Sequence, residues 1–227
     1  LIPVVAIADF NEAVTLVKLI AHLARHAGFK TGFNTAEGIF IQKHISTEGN
    51  CTRYEDIQEV LFDPTIDFAV LQCSDESILE TGLAFNTCST SIIVHIPDEK
   101  PEVKYGISTV KIKKALVKST TKDGYVILNA DSASVYTLKE EAECKVALFS
   151  MNVNNENVQS HCHNGGIAVV ADKGTIFIFE GEKRIPLVEM KSITDTIASY
   201  ILPAVLCAVI RNFRLDTIQA GLATFVA

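Results

Sequence analysis

The chain has 227 residues, 48% hydrophobic and 21% charged, enough to bury a sizeable core as one large domain or two small ones. Its 27 acidic against 20 basic side chains, a formal charge of -7, lack the Lys and Arg excess that nonspecific nucleic-acid or anionic-membrane binding requires, which leaves proteins and small molecules as partners. Six cysteines stand singly without a C-x-x-C pair, the pattern of reduced, mostly buried thiols in a cytoplasmic protein rather than of a disulfide framework.

The first eight residues are apolar but carry neither a basic n-region nor a cleavage site, so no signal peptide is expected. Because it starts at Leu1 rather than Met, the chain reads as a segment of a longer polypeptide. Val4 to Ala8 is a β-branched strand. Asn11 to His26 carries apolar residues at 13, 17, 20 and 24, a helical stripe that stops at Gly28. Further strands are expected at 67–71, 91–95 and 125–128, and further helices at 54–62, 76–83, 107–119 and 132–142. The strand runs are almost unbrokenly hydrophobic, as in a parallel sheet covered by helices on both faces.

After about residue 144 the runs 145–149, 167–171, 175–179 and 184–188 follow one another through Asn/Gly-rich turns, which predicts antiparallel strands. Helices over 193–211 and 215–225 close the chain. The first contains the longest uncharged stretch, Thr196 to Ile210, which is interrupted by Pro203 and too short to span a bilayer, so a buried helix is expected. The architecture predicted is one three-layer α/β domain over 1–227. It comprises a parallel core over 1–143, an appended antiparallel segment over 144–190 and closing helices over 191–227.

The segment Val5-Ala-Ile-Ala-Asp9-Phe-Asn-Glu12-Ala-Val-Thr-Leu16 lies where a phosphate-binding loop would join a first strand to a first helix. Further blocks stand in the same order along the chain: Asp63-Pro-Thr-Ile-Asp-Phe-Ala-Val-Leu71, Gly82-Leu-Ala-Phe85, Asp123-Gly-Tyr-Val-Ile-Leu-Asn-Ala-Asp131, Arg184-Ile-Pro-Leu187 and Ile218-Gln-Ala-Gly-Leu-Ala-Thr-Phe225. Together these resemble the central domain of the Mur ligase superfamily, and within it the cyanophycin synthetase family, over essentially the whole chain. In an intact relative the resemblance implies ATP- and Mg²⁺-dependent ligation, through an acyl phosphate formed on a carboxylate and then attacked by an amino-acid amine. It also implies an ATP-grasp module and a C-terminal Mur-like domain as partners within the same polypeptide.

Against that pattern the phosphate loop has changed its chemistry. The family's loop glycines fall at Asp9 and Glu12, its phosphate-gripping lysine at Ala13 and its metal-binding Thr at Val14, with Phe10 and Asn11 between. A phosphate loop needs glycines so that its N–H groups can wrap the phosphates, a Lys charge, and a hydroxyl for the metal. Each carboxylate placed at about 5 Å from a phosphate costs about 3 kcal/mol at an effective dielectric of about 20. Asp9 followed by Glu12 is instead close to a capping box, which would fill the anion site with the protein's own carboxylate. Gln72 stands where the family has an acidic metal ligand, a lost position. Thr35, Thr52, Asn129 and Asp131 are retained, and Lys113 aligns with the lysine that the ligases can carbamylate.

His161-Cys162-His163 is the one local cluster of metal-ligand types; a loop before Asn164-Gly-Gly166 is expected there in preference to a zinc site. The lysines between 100 and 122 are expected to form a solvated basic face, with docking of an acidic partner as the functional alternative. The function expected is that of a degenerate Mur-ligase-like central domain, without catalytic residues, cofactor or metal, serving as a structural or interaction module. Self-association is left open. The alternative is a divergent ATP-dependent amide ligase domain using Asn129, Asp131 and Lys113.

Overall fold

A computed structural model describes residues 2–8, 10–96, 108–190 and 193–226. In chain order the elements are β1 (Val4–Ala8), α1 (Ala13–His26), β2 (Thr31–Thr35), β3 (Gly38–Ile41), β4 (His44–Glu48), α2 (Tyr54–Phe62), β5 (Phe68–Cys73), α3 (Asp75–Thr81), β6 (Cys88–Ile93), α4 (Thr109–Lys118) and β7 (Thr120–Asn129). There follow α5 (Ala133–Tyr136) with a 3-10 turn over Thr137–Glu141, β8 (Lys145–Ser150), α6 (Glu156–His163), β9 (Ile167–Asp172), β10 (Thr175–Glu180), β11 (Lys183–Glu189), α7 (Asp195–Ile210) and α8 (Leu215–Thr224).

Eleven strands form one sheet in the order β11-β10-β9-β8-β7-β6-β1-β5-β2-β3-β4. The central block from β9 to β2 is parallel throughout. Antiparallel strands flank it at both edges, β10 and β11 at one end and β3 and β4 at the other. The antiparallel segment expected over 144–190 is therefore shorter than predicted. β8 and β9 extend the parallel block, because α6 carries the chain back between them, and the sense reverses only at the β9–β10 turn. Helix α6 takes the place of the loop expected at His161-Cys162-His163. The β2–β3–β4 meander was not anticipated; its turn at Ala36-Glu37 is closed by Gly38, at φ +155, where a Cβ would stand 2.4 Å from the Thr47 carbonyl oxygen.

Helices cover both faces. Val5 and Ile7 point to the layer of α1, α7 and α8, whereas Ala6 and Ala8 point to the layer of α2 to α6, as the period-two alternation of a strand requires. Helix α1 buries Leu16, Val17, Ile20, Leu23 and Ala24 in the first layer and ends where Gly28 takes φ +94. Helix α7 buries ten of its sixteen residues, Pro203 included, and packs between α1 and β7–β9. It is the buried helix expected from the uncharged run, and no helix among the described residues is long and apolar enough to cross a membrane. All six cysteines are free thiols, and all but the half-buried Cys144 are buried.

Candidate functional site

In an open parallel sheet the functional crevice lies at the carboxyl ends of two neighbouring strands whose connections leave in opposite directions. Here β1 connects through α1 toward β2, while its other neighbour β6 connects through α4 toward β7, so the switch falls between β1 and β6. A cavity of about 290 Å³ opens there. The turn after β1 supplies Phe10, Asn11 and Glu12, Val94 and His95 follow directly on β6, β7 supplies Asn129, and α7 brings Asp195, Thr196 and Ser199. The structure thus gathers three of the loop positions and Asn129, which lie more than a hundred residues apart in sequence.

The turn passes directly into α1. The Ala13 N–H donates to the Phe10 carbonyl at 3.1 Å and the Leu16 N–H to the Glu12 carbonyl at 3.0 Å, so the helix begins immediately after Glu12. Glu12 flanks the first turn and its side chain accepts none of the first-turn N–H groups. This overturns the expected capping box, which needs Glu12 one turn inside the helix; the Asp9 half of that expectation lies outside the described residues. Ala13 is fully buried, so a lysine there would have to leave the core before reaching the cavity. Glu12 and Asp195 bring carboxylates to the walls, and no Lys or Arg lines the cavity among the described residues.

Asn129 spends its amide on the protein: Nδ2 donates to the Val94 carbonyl at 3.2 Å and Oδ1 accepts from the Asp131 N–H at 3.0 Å, tying the ends of β6 and β7 together. Asp131 turns away to hold the β8–α6 connection, accepting from Ser150 Oγ at 2.5 Å, Asn155 Nδ2 at 2.8 Å and the Met151 N–H at 2.7 Å. Gln72 is 4% exposed on β5, outside the cavity, and its Oε1 accepts from the Ala36 N–H at 3.1 Å. Its carbonyl, with that of Cys51, receives the two donors of buried Asn34. Thr35 caps the β2–β3 turn by accepting from the Glu37 N–H, and Thr52 donates to Asn50 Oδ1.

Lys113 is 1% exposed and pairs with Asp75 at 2.7 Å, so the lysine-rich α4 is not wholly a solvated face. Lys114 and Lys118 grip Glu141, and these hydrogen-bonded ammonium groups hold its carboxyl down at about 2. Lys100 and Lys104 lie outside the described residues. On α6, His161 bonds the Ile167 carbonyl, Cys162 is buried and exposed His163 pairs with Glu182. No group of three or more His, Cys, Asp or Glu able to hold a metal ion occurs among the described residues. Sequence reasoning missed Asp195 and Ser199 as cavity residues, since only the docking of α7 onto the sheet brings them there.

The fold is shared with Mur ligases. The whole chain superposes on 47% of a UDP-N-acetylmuramoyl-L-alanyl-D-glutamate–2,6-diaminopimelate ligase with a TM-score of 0.77 at 16% identity. It superposes on 46% of MurF from Acinetobacter baumannii with a TM-score of 0.67 at 12% identity. In sequence the chain is 30% identical over 236 residues to cyanophycin synthetase of Geminocystis herdmanii, covering 99% of this chain and 27% of that protein. It is 31% identical over 237 residues to cyanophycin synthetase of Crocosphaera subtropica, again 27% of that protein. No protein-family profile matches. The chain is a Mur-ligase-like domain similar to one stretch of cyanophycin synthetase, and it spans about a quarter of the length of these curated relatives.

Proposed function

We propose that this domain takes no nucleotide productively at its switch-point cavity and serves as a structural or interaction module of a larger, cyanophycin-synthetase-like polypeptide in the cytoplasm. The observation that carries this reading is the wall of the cavity, which among the described residues presents Glu12 and Asp195 and no Lys or Arg, where a triphosphate needs the reverse. At about 290 Å³ the cavity also falls at the lower limit for drug-sized ligands. A divergent ligase domain would require Asn129, Asp131 and Lys113 to converge. Only Asn129 lines the cavity, while Asp131 and Lys113 are engaged with Ser150, Asn155 and Asp75, which favours the module. Isothermal titration with Mg-ATP and a nonhydrolysable analogue tests it, with millimolar or no affinity expected at this cavity, read as the part of any binding that Asn129→Ala removes. Micromolar binding that is lost in Asn129→Ala would overturn it.

A further inference from the structure

A second cavity, of about 630 Å³, lies between α1, strands β2 and β3 with the β3–β4 turn, and the end of α8. Lys18, His22, Arg25 and His26 face it at the i, i+4, i+7 and i+8 spacing of one helix face, and Lys43 reaches it from the β3–β4 turn. A smaller cavity of about 250 Å³ continues it past the end of α1, sharing Arg25, Gln42 and Lys43 and adding Lys30 and His44. No carboxylate lines either cavity among the described residues, in a chain whose formal charge is -7. Arg25 and His26 in a last helical turn are accounted for by the negative end of the helix dipole. Lys43, Lys30 and His44 lie on other segments and are not. They are gathered at one groove against the average charge of the protein.

The groove is built as well as charged. Arg25 is held by donating Nη1 to the Gln42 carbonyl at 2.9 Å, and it lines both cavities. The Nε2 atoms of His22 and His26 both contact Thr224 Oγ1, at 3.0 and 3.1 Å, and that hydroxyl lies 3.0 Å from the Ala220 carbonyl of its own helix. With the hydroxyl proton directed at the carbonyl, both imidazoles donate from Nε2, and Nδ1 of each is left to take a second proton. The charged groups around His22 among the described residues are Lys18, Arg25 and His26 on α1, Lys43 on the turn, and Glu37, which engages Lys18 at 2.5 Å; α8 and the residues after it present Gly221, Thr224, Phe225 and Val226 there. Burial, then His26 and Arg25, push the His22 pKa down. Phe33 and Phe40, stacked at 4.7 Å, and Phe225 form an apolar wall.

From this arrangement we infer an anion-binding site for a small phosphate compound carrying at least two phosphate charges. Arginine, lysine and imidazolium donors are the groups that hold phosphate oxygens, and the open groove has the volume of a small-ligand site. The site lies along α1 away from the switch-point cavity and does not depend on the reading of that cavity.

Isothermal titration of the protein with pyrophosphate and with ADP, without divalent cation and at low salt, tests the inference. Binding is expected for at least one probe, weakened about tenfold or more by Arg25→Ala and by Lys43→Ala, since each removes one charge-assisted contact. Lys43 is exposed, so its variant leaves the fold intact. Asn129→Ala is expected to leave the affinity unchanged, which separates this site from the other cavity. Binding is expected to take up protons near pH 7, read as a buffer-dependent heat, because an anion favours the second proton on His22. Tighter binding of ADP points to an organic phosphate on the phenylalanine wall and equal binding to an inorganic polyphosphate; both support the site. Absence of binding for both probes, or affinity untouched by Arg25→Ala and Lys43→Ala, overturns it.

Discussion

Gln72→Glu asks whether a divalent-cation position survives in this domain. The substitution keeps the side-chain shape and puts a carboxyl group at a position 4% exposed. The Ala36 N–H can still donate to it, which favours the ionised form, while burial opposes that form. Each pKa unit by which burial raises the carboxyl makes the variant about 1.36 kcal/mol less stable at pH 7, so a rise of roughly two units costs about 2–3 kcal/mol. For a chain of this length that lowers the melting temperature by about 4–12 °C. Since the folded-state pKa is the raised one, the penalty is absent below the unfolded value near about 4.3 and reaches its full size above the folded value, near about 6. Thermal and urea unfolding across pH 4 to 7, with and without MgCl₂, measure both effects. If the position is lost, Mg²⁺ changes nothing; a working site with [Mg²⁺] at about 100 times its Kd would return about 2.7 kcal/mol. Recovery of stability by Mg²⁺, or a deficit independent of pH, refutes the reasoning.

Three further outcomes follow from particular contacts. At Gly221 a Cβ would stand 2.6 Å from Leu23 Cδ2, so Gly221→Val should push α8 off α1 and cost about 1–3 kcal/mol in urea unfolding, whereas Ala220→Val, on the exposed side of α8, should be near neutral. Equal effects would place the α1–α8 contact elsewhere. Glu141 titrates at about 2, below its ordinary value of 4.5, under the hold of Lys114 and then Lys118. A depressed folded-state pKa contributes stability above the unfolded value that is lost as pH falls, so the melting difference between wild type and Glu141→Gln should be present at pH 7 and close toward pH 2. Asp131→Ala should speed hydrogen exchange of the amides at 150–158 by releasing Ser150, Met151 and Asn155, and unchanged exchange would mean that the carboxylate is available to a ligand.

Where the sequence carried periodicity, it carried structure. The expected 54–62 helix coincides with α2, and α1 and α7 begin and end within about two residues of their predicted limits, because buried apolar positions recur at helical spacing. Helix α6 escaped notice because its sequence is mostly polar and buries only Val158 and Cys162. The sense of β8 and β9 was misread for a different reason: a hydrophobic run reads the same in a parallel or an antiparallel ladder, and only the intervening helix decides. At the site, the absence of Gly, Lys and Thr from positions 9–14 was legible in the sequence. The capping box inferred for them was not how the helix begins.

The amino-acid sequence by itself determined the class of fold and the absence of Gly, Lys and Thr from positions 9–14, since both depend on residue type at short spacing. It could not decide which distant residues share a cavity. That Glu12 and Asp195 line one cavity, that Lys113 is buried against Asp75, and that Lys43 and Thr224 line a groove with the basic face of α1 follow from strand order and helix docking. Those depend on which buried faces pack together across the whole chain, and no local spacing encodes them.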